Sequence, residues 1–131
     1  MTGLDTNVLV RFLVEDDEAQ TARVHRFLKS SRAAGEAVFV SAVVLCEACW
    51  VLRSVYAKSK KDLLEAIESL LKADVFLLEE PESVRRAIEL AHKGKAEFPD
   101  YLIGELHLAR KCRTTITFDR SLRGASAFTV L

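Results

Sequence analysis

Four acidic residues, far apart in the chain, carry the chemistry this sequence could perform: Asp5 in LDTNVLVRFL, Glu47 in SAVVLCEACWVL, Asp100 in FPDYLIGELHLA and Asp119 in TTITFD. Brought together, carboxylates repel one another unless a positive charge is shared among them. A hard divalent cation such as Mg²⁺ or Mn²⁺ takes oxygen ligands and removes that repulsion, and an ion so held can activate water near neutral pH. Three of the four also have ordinary structural readings. Asp5 can cap a helix that follows a strand, Asp100 can do the same after Pro99, and Asp119 can open the turn DRSLRG. Glu47 resists such a reading. It sits inside an apolar helical stretch, where an unpaired carboxylate is expensive to bury, and no basic residue lies three or four positions away on that helix. Arg53 and Arg11 are the remaining candidates for an ion pair. A shared cation replaces four separate coincidences with one cause.

The elements that must position these acids alternate between short β-like runs and helical ones. TGLD reads as a first strand, after which Val8, Leu9, Phe12 and Leu13 fall at helical spacing. A helix from Glu18 to Ser31 would turn Ala19, Ala22, Phe27 and Leu28 inward and Arg23, Arg26 and Lys29 outward, with Gly35 marking the break. AVFV at 37–40 is a second strand, and Ser41 caps a helix through VVLCEACWVL that is apolar on nearly every side and therefore expected to be deeply packed. Ser59 and Asp62 form a capping-box pattern ahead of the stripe Leu63, Leu64, Ile67, Leu70 and Leu71. DVFLL is a third strand. Pro81 suits a first helical turn, Val84, Ala87, Ile88 and Ala91 continue that helix, and Gly94 can end it. A further helix from about Asp100 to Lys111, then TTITF and FTVL as strands, complete the chain.

Strands separated by helices imply an α/β fold with a central parallel sheet covered on both faces. Ligands in such sheets collect at the carboxyl ends of the strands. Asp5 and Asp119 both follow strands, and Asp100 opens a helix whose amide dipoles favour a negative group. The 131 residues, half of them hydrophobic, suit one domain over 1–131 with a sizeable core. Nineteen basic and nineteen acidic residues cancel, so any polyanion must be met by local patches rather than a global field. Apolar runs are too short for a membrane span, and the start of the chain lacks the form of a signal peptide. With three cysteines in no disulfide spacing, the expected setting is a reducing cytoplasm. Cys46 and Cys49 lie mid-helix and read as small core residues; His25, His92 and His107 share no ligand spacing; Trp50 reads as core or interface.

The four quoted stretches, in this order and at these distances, resemble PIN-domain ribonucleases, most nearly the VapC-type toxins of prokaryotic toxin–antitoxin pairs. The likeness covers essentially the whole chain. It implies a three-layer α/β/α sandwich and metal-dependent endonucleolytic cleavage of RNA. Asp5, Glu47, Asp100 and Asp119 would be the catalytic and metal-binding quartet for Mg²⁺ or Mn²⁺. Thr6, Asn7 and Thr117 match positions whose polar side chains orient the acids or the metal's water. The resemblance further implies a homodimer and a cognate antitoxin protein as inhibitor. Pro99 and Tyr101 depart from the family's commoner residues at those places, which bears on substrate preference more than on the acids.

For RNA, the candidate phosphate contacts are Arg11 and Arg120, each close in sequence to an acid, with Arg123 and the run KSKK at 58–61 behind them. A recessed metal favours single-stranded or looped RNA. Two other classes also place acids at strand ends. A haloacid-dehalogenase-like phosphatase needs a second Asp two positions after the first, where this chain has Asn7. A non-catalytic metal-binding or signalling domain has no need of Glu47.

Overall fold

The computed structural model describes residues 1–131, which divide into two compact units, Met1–Glu79 and Glu80–Leu131. In the first unit, β1 (Thr2–Gly3), β2 (Val38–Val40) and β3 (Phe76–Leu78) pair in parallel in the order β1-β2-β3, with Thr2 opposite Val38 and Val38 opposite Phe76. Helices α1 (Thr6–Val14), α2 (Glu18–Ala33), α3 (Ala42–Ser54) and α4 (Lys60–Lys72) fill the connections. α1 packs on α2 and α3, and α4 packs on α3 and β3. In the second unit, α5 (Pro81–Lys93) and α6 (Phe98–Ala109) pack closely together, and β4 (Thr115–Thr117) and β5 (Phe128–Val130) form a parallel pair with a single 3₁₀ turn, Arg120–Leu122, between them. Every strand pairing is parallel, as the strand–helix alternation requires. No helix is long and apolar enough to cross a membrane.

Local chemistry explains most boundaries. Ser41 and Ser59 accept hydrogen bonds from the amides of Val44 and Asp62 and so start α3 and α4. Pro81 occupies the first turn of α5, where its missing N–H costs nothing. The α4 stripe is buried at Leu63, Leu64, Ile67 and Leu70, and the α5 stripe at Val84, Ala87, Ile88 and Ala91.

The structure corrects three expectations. α2 turns Val24, Leu28 and Ser31 inward, while Ala19 and Ala22 face solvent; the true stripe runs at i, i+4 and i+7 from Val24. α6 begins at Phe98 with Glu97 at its N-cap, so Asp100 lies one turn inside the helix rather than capping it. α3 is not deeply packed on every side. It buries Leu45, Ala48, Cys49 and Leu52, whereas Val43, Glu47 and Trp50 are exposed, Trp50 to 65%. Apolar content alone does not fix which face of a helix meets a neighbour.

Gly94 ends α5 for a steric reason. A side chain there would begin 1.7 Å from the Tyr101 hydroxyl and 2.6 Å from its ring carbon Cζ, and Tyr101 is only 4% exposed, so the ring has little room to retreat. Gly94→Ala is therefore expected to destabilise the protein by about 1–3 kcal/mol through overpacking. Adding Tyr101→Phe, which removes the clashing oxygen, should recover part of that loss, so that the double variant unfolds at higher urea than additivity allows. Strict additivity of the two substitutions in urea unfolding would contradict the contact.

Candidate active site

Two of the candidate acids belong to the first unit, and one residue ties them together. Asp5 follows β1 and stands at the N-cap of α1 in extended conformation. The Thr6 amide donates to Asp5 Oδ1 at 2.8 Å, while the Thr6 hydroxyl donates to Glu47 Oε1 at 2.9 Å. A residue 41 positions from Glu47 thus holds it beside Asp5, and the packing of α1 on α3 makes the reach short. Glu47 is exposed, so the desolvation cost anticipated for it does not arise; nor does it pair with Arg53 or Arg11. The partner it has is neutral. Arg11, His25 and Arg32 instead engage Asp16, Glu15 and Asp74.

Arg11 is more constrained than its nearness to Asp5 suggested. Its Nη1 pairs with Asp16 and its Nε donates to Gln20 Oε1 at 2.8 Å, so its charge is already met within the fold. Asn7 is exposed and lines, with Arg11, Arg23 and Phe27, an open groove of ≈ 720 Å³ beside α1 and α2. Glu79, which the sequence reading passed over, also follows a strand, but its Oε2 accepts from the Ala42 amide at 2.6 Å and serves to start α3. An acid at a strand end is thus not always available to a ligand.

The second unit supplies the other two acids. Asp100 Oδ2 accepts from the Glu97 amide at 3.1 Å, a reach back to the start of α6 of the kind a capping box makes. Asp119 follows β4 and accepts at Oδ1 from both the amide and the hydroxyl of Ser121, at 2.9 and 2.7 Å, while its own amide donates to the Thr117 hydroxyl at 3.0 Å. Thr117 therefore orients the backbone that presents Asp119, and Ser121, legible afterwards in the pattern D-x-S, orients the carboxylate. Arg120 is exposed between them. Neither Asp100 nor Asp119 has a basic partner; Arg85 and Arg86 engage Glu82 and the buried Glu105.

The electrostatics of the second pair are uneven. Burial raises the Asp100 pKa above its ordinary 3.8, the charges of Asp119 and Glu97 raise it further, and the Glu97 amide pulls against them. The Ser121 hydroxyl and then its amide hold Asp119 below 3.8. One carboxyl thus holds its proton more firmly than an ordinary aspartate and its neighbour less firmly, the separation expected of like charges in different surroundings.

No three His, Cys, Asp or Glu side chains gather into a cluster that could hold a metal ion; within the first unit Thr6 links Asp5 and Glu47, and within the second Asp100 senses the charge of Asp119. The donors fit a hard divalent ion: all are oxygens, and none is neutralised by Lys or Arg. The sequence as a whole matches the PIN domain family over residues 4–127. A VapC ribonuclease of Aquifex aeolicus (strain VF5) is 31% identical over 102 residues, 78% of this chain and 75% of that protein.

Because the Asp100 pKa in the folded protein lies above its ordinary value, the stability this group contributes is complete below pH about 3.8 and is lost as pH rises through the raised value. Asp119→Asn removes one of the raising charges. The Asp100 midpoint, followed by carboxyl-carbon NMR in metal-free protein, should fall but remain above 3.8, since burial is the larger cause. An unchanged midpoint would show that the two carboxyls do not sense each other.

Proposed function

The chain belongs to the PIN-domain family, and from that premise we propose that it is a divalent-metal-dependent endoribonuclease, the toxin of a toxin–antitoxin pair. Its strands and helices have the α/β character of that family, with parallel pairing throughout. In this reading Asp5, Glu47, Asp100 and Asp119 are the ligands of Mg²⁺ or Mn²⁺, and residues 1–131 act as a single domain. The observation that carries it is the neutralisation the fold withholds. Two carboxylate pairs are oriented by Thr6, by Ser121 and by the Glu97 amide, all uncharged donors, while Arg11 and Arg86 are committed to Asp16 and Glu105.

A divalent ion bound there would supply Lewis acidity toward a phosphate oxygen and acidify an attacking water. The chain's own residues do the rest. Thr6 fixes the Asp5 and Glu47 carboxylates through one amide and one hydroxyl. The Ser121 hydroxyl and amide favour the ionised form of Asp119, the form a metal ligand requires. Asp100, with its raised pKa, is the acid best suited to take a proton from water, at Oδ1, since Oδ2 already accepts from Glu97. Arg120, exposed beside Asp119, is the substrate-phosphate contact; Arg11 would serve only by exchanging Asp16 for phosphate. No side-chain nucleophile is required.

The relative's name supports RNA as the substrate, and the toxin reading brings with it a homodimer and an antitoxin. The exposed apolar residues Val43, Trp50 and Val55, on α3 and at its end, offer surface to such a partner.

The experiment is cleavage of labelled single-stranded RNA by the purified chain, with a phosphomonoester as parallel substrate. Cleavage at internal bonds should require Mg²⁺ or Mn²⁺, stop with EDTA and return on adding excess ion. Asp5→Asn and Glu47→Gln should each lower the rate by about a hundredfold or more, the loss of a few kcal/mol of transition-state stabilisation. Full divalent-dependent cleavage by both variants, or hydrolysis of the monoester without internal cuts in RNA, would overturn the assignment.

A further inference from the structure

The second unit contains a cavity of ≈ 560 Å³ whose lining includes Lys93, Lys95, Arg120 and Arg123 and no acidic residue. None of the four takes part in an ion pair; the cations of this unit that do are Arg85 and Arg86, on the body of α5. Four like charges around one opening repel one another, and in an overall neutral protein this is a local concentration rather than a general excess. An anion in the cavity would relieve that repulsion.

Two further observations tie the cavity to the acids. Ser121, on its wall, donates both its amide and its hydroxyl to Asp119. Tyr101, also lining it, directly follows Asp100. The base of the cavity is rigidly built. The Tyr101 hydroxyl occupies the space a side chain at Gly94 would need and accepts from the Ala96 amide at 3.4 Å. The bulky Tyr101 therefore fits against the bare Gly94, which lies between Lys93 and Lys95 in the sequence, and all four residues line the cavity.

We propose that this cavity is a phosphodiester subsite for an RNA strand, in which Lys93, Lys95, Arg120 and Arg123 hold a phosphate flanking the scissile one at Asp100 and Asp119. The proposal rests on the nuclease reading above. The volume falls in the range of sites that enclose a nucleotide-sized group rather than a lone ion, and point-charge lysines with exposed arginines favour the sugar–phosphate backbone over base edges. The subsite therefore confers affinity and register without sequence preference.

The test measures binding of a fluorescein-labelled single-stranded RNA to the full chain in EDTA, by anisotropy across a salt series, with manganese-dependent cleavage of the same RNA run alongside. Lys93→Gln with Lys95→Gln should weaken binding by about tenfold and flatten the log–log salt slope by about 1.4, two contacts at roughly 0.7 each for single strands. Lys29→Gln with Lys72→Gln, the same change in net charge at exposed positions of the first unit, should leave both values as in the parent. Equal weakening by the two double variants, or an unchanged slope in the first, overturns the subsite. If the parent cleaves RNA but the Lys93 and Lys95 variant binds as the parent does, the subsite fails and the nuclease reading stands. If the parent neither binds nor cleaves RNA, both fail.

Discussion

Orientation of carboxylates by neutral donors, without ion pairs, is the constraint on which the candidate site turns. Asp5 and Glu47 share the two donors of Thr6, and Asp100 feels the charge of Asp119, yet none of the four is in an ion pair with lysine or arginine. Hydrogen bonds from neutral groups orient a carboxylate without cancelling its charge, and they leave its remaining lone pairs available. A fold that only needed these acids buried or solvated could have paired them, as it pairs Glu105 with Arg86. Carboxylates so oriented and left without an ion pair are what the proposed metal site requires.

The scaffold that does this is economical in strands. β1 spans two residues, and the other strands three each, so the sheets contribute direction more than area. Burial comes mainly from helical stripes, and the acids hang from the junctions: Asp5 between β1 and α1, Asp119 between β4 and the 3₁₀ turn, Asp100 in the first turn of α6. Loop ends carried on a packed frame are the usual place for chemistry in α/β folds. Glu47 is the exception, borne on the outer face of α3, and it needs Thr6 to keep its carboxylate turned toward Asp5's side of the unit.

Features governed by neighbours in sequence were legible from sequence. The caps at Ser41 and Ser59, Pro81 in its first turn, the stop at Gly94 and the stripes of α4 and α5 follow from local hydrogen bonding and helical period. What failed depended on contacts across the chain. The burial of α3 was overestimated because a helix apolar on nearly every side does not say which residues meet a partner, and Val43 and Trp50 meet none within the chain's core. The start of α6 was displaced because Glu97 also serves as an N-cap, a role its longer side chain makes less obvious than that of aspartate. At the site, strand-end logic found Asp5 and Asp119 but gave no sign that Glu79 is a cap, that Asp16 holds Arg11, or that the Thr6 hydroxyl reaches Glu47. Such links need the fold itself, whereas the Ser121 contact to Asp119 could have been read from D-x-S alone.

The most direct test of the proposal that Asp5, Glu47, Asp100 and Asp119 are the ligands of Mg²⁺ or Mn²⁺ is paramagnetic broadening by Mn²⁺ in the amide NMR spectrum. Under this account, substoichiometric Mn²⁺ broadens the amides of Thr6, Glu47, Asp100 and Ser121 together, with one concentration dependence, and excess Mg²⁺ reverses all four. Broadening confined to one pair, or spread evenly over exposed acids such as Glu15, Asp74 and Glu82, would contradict it.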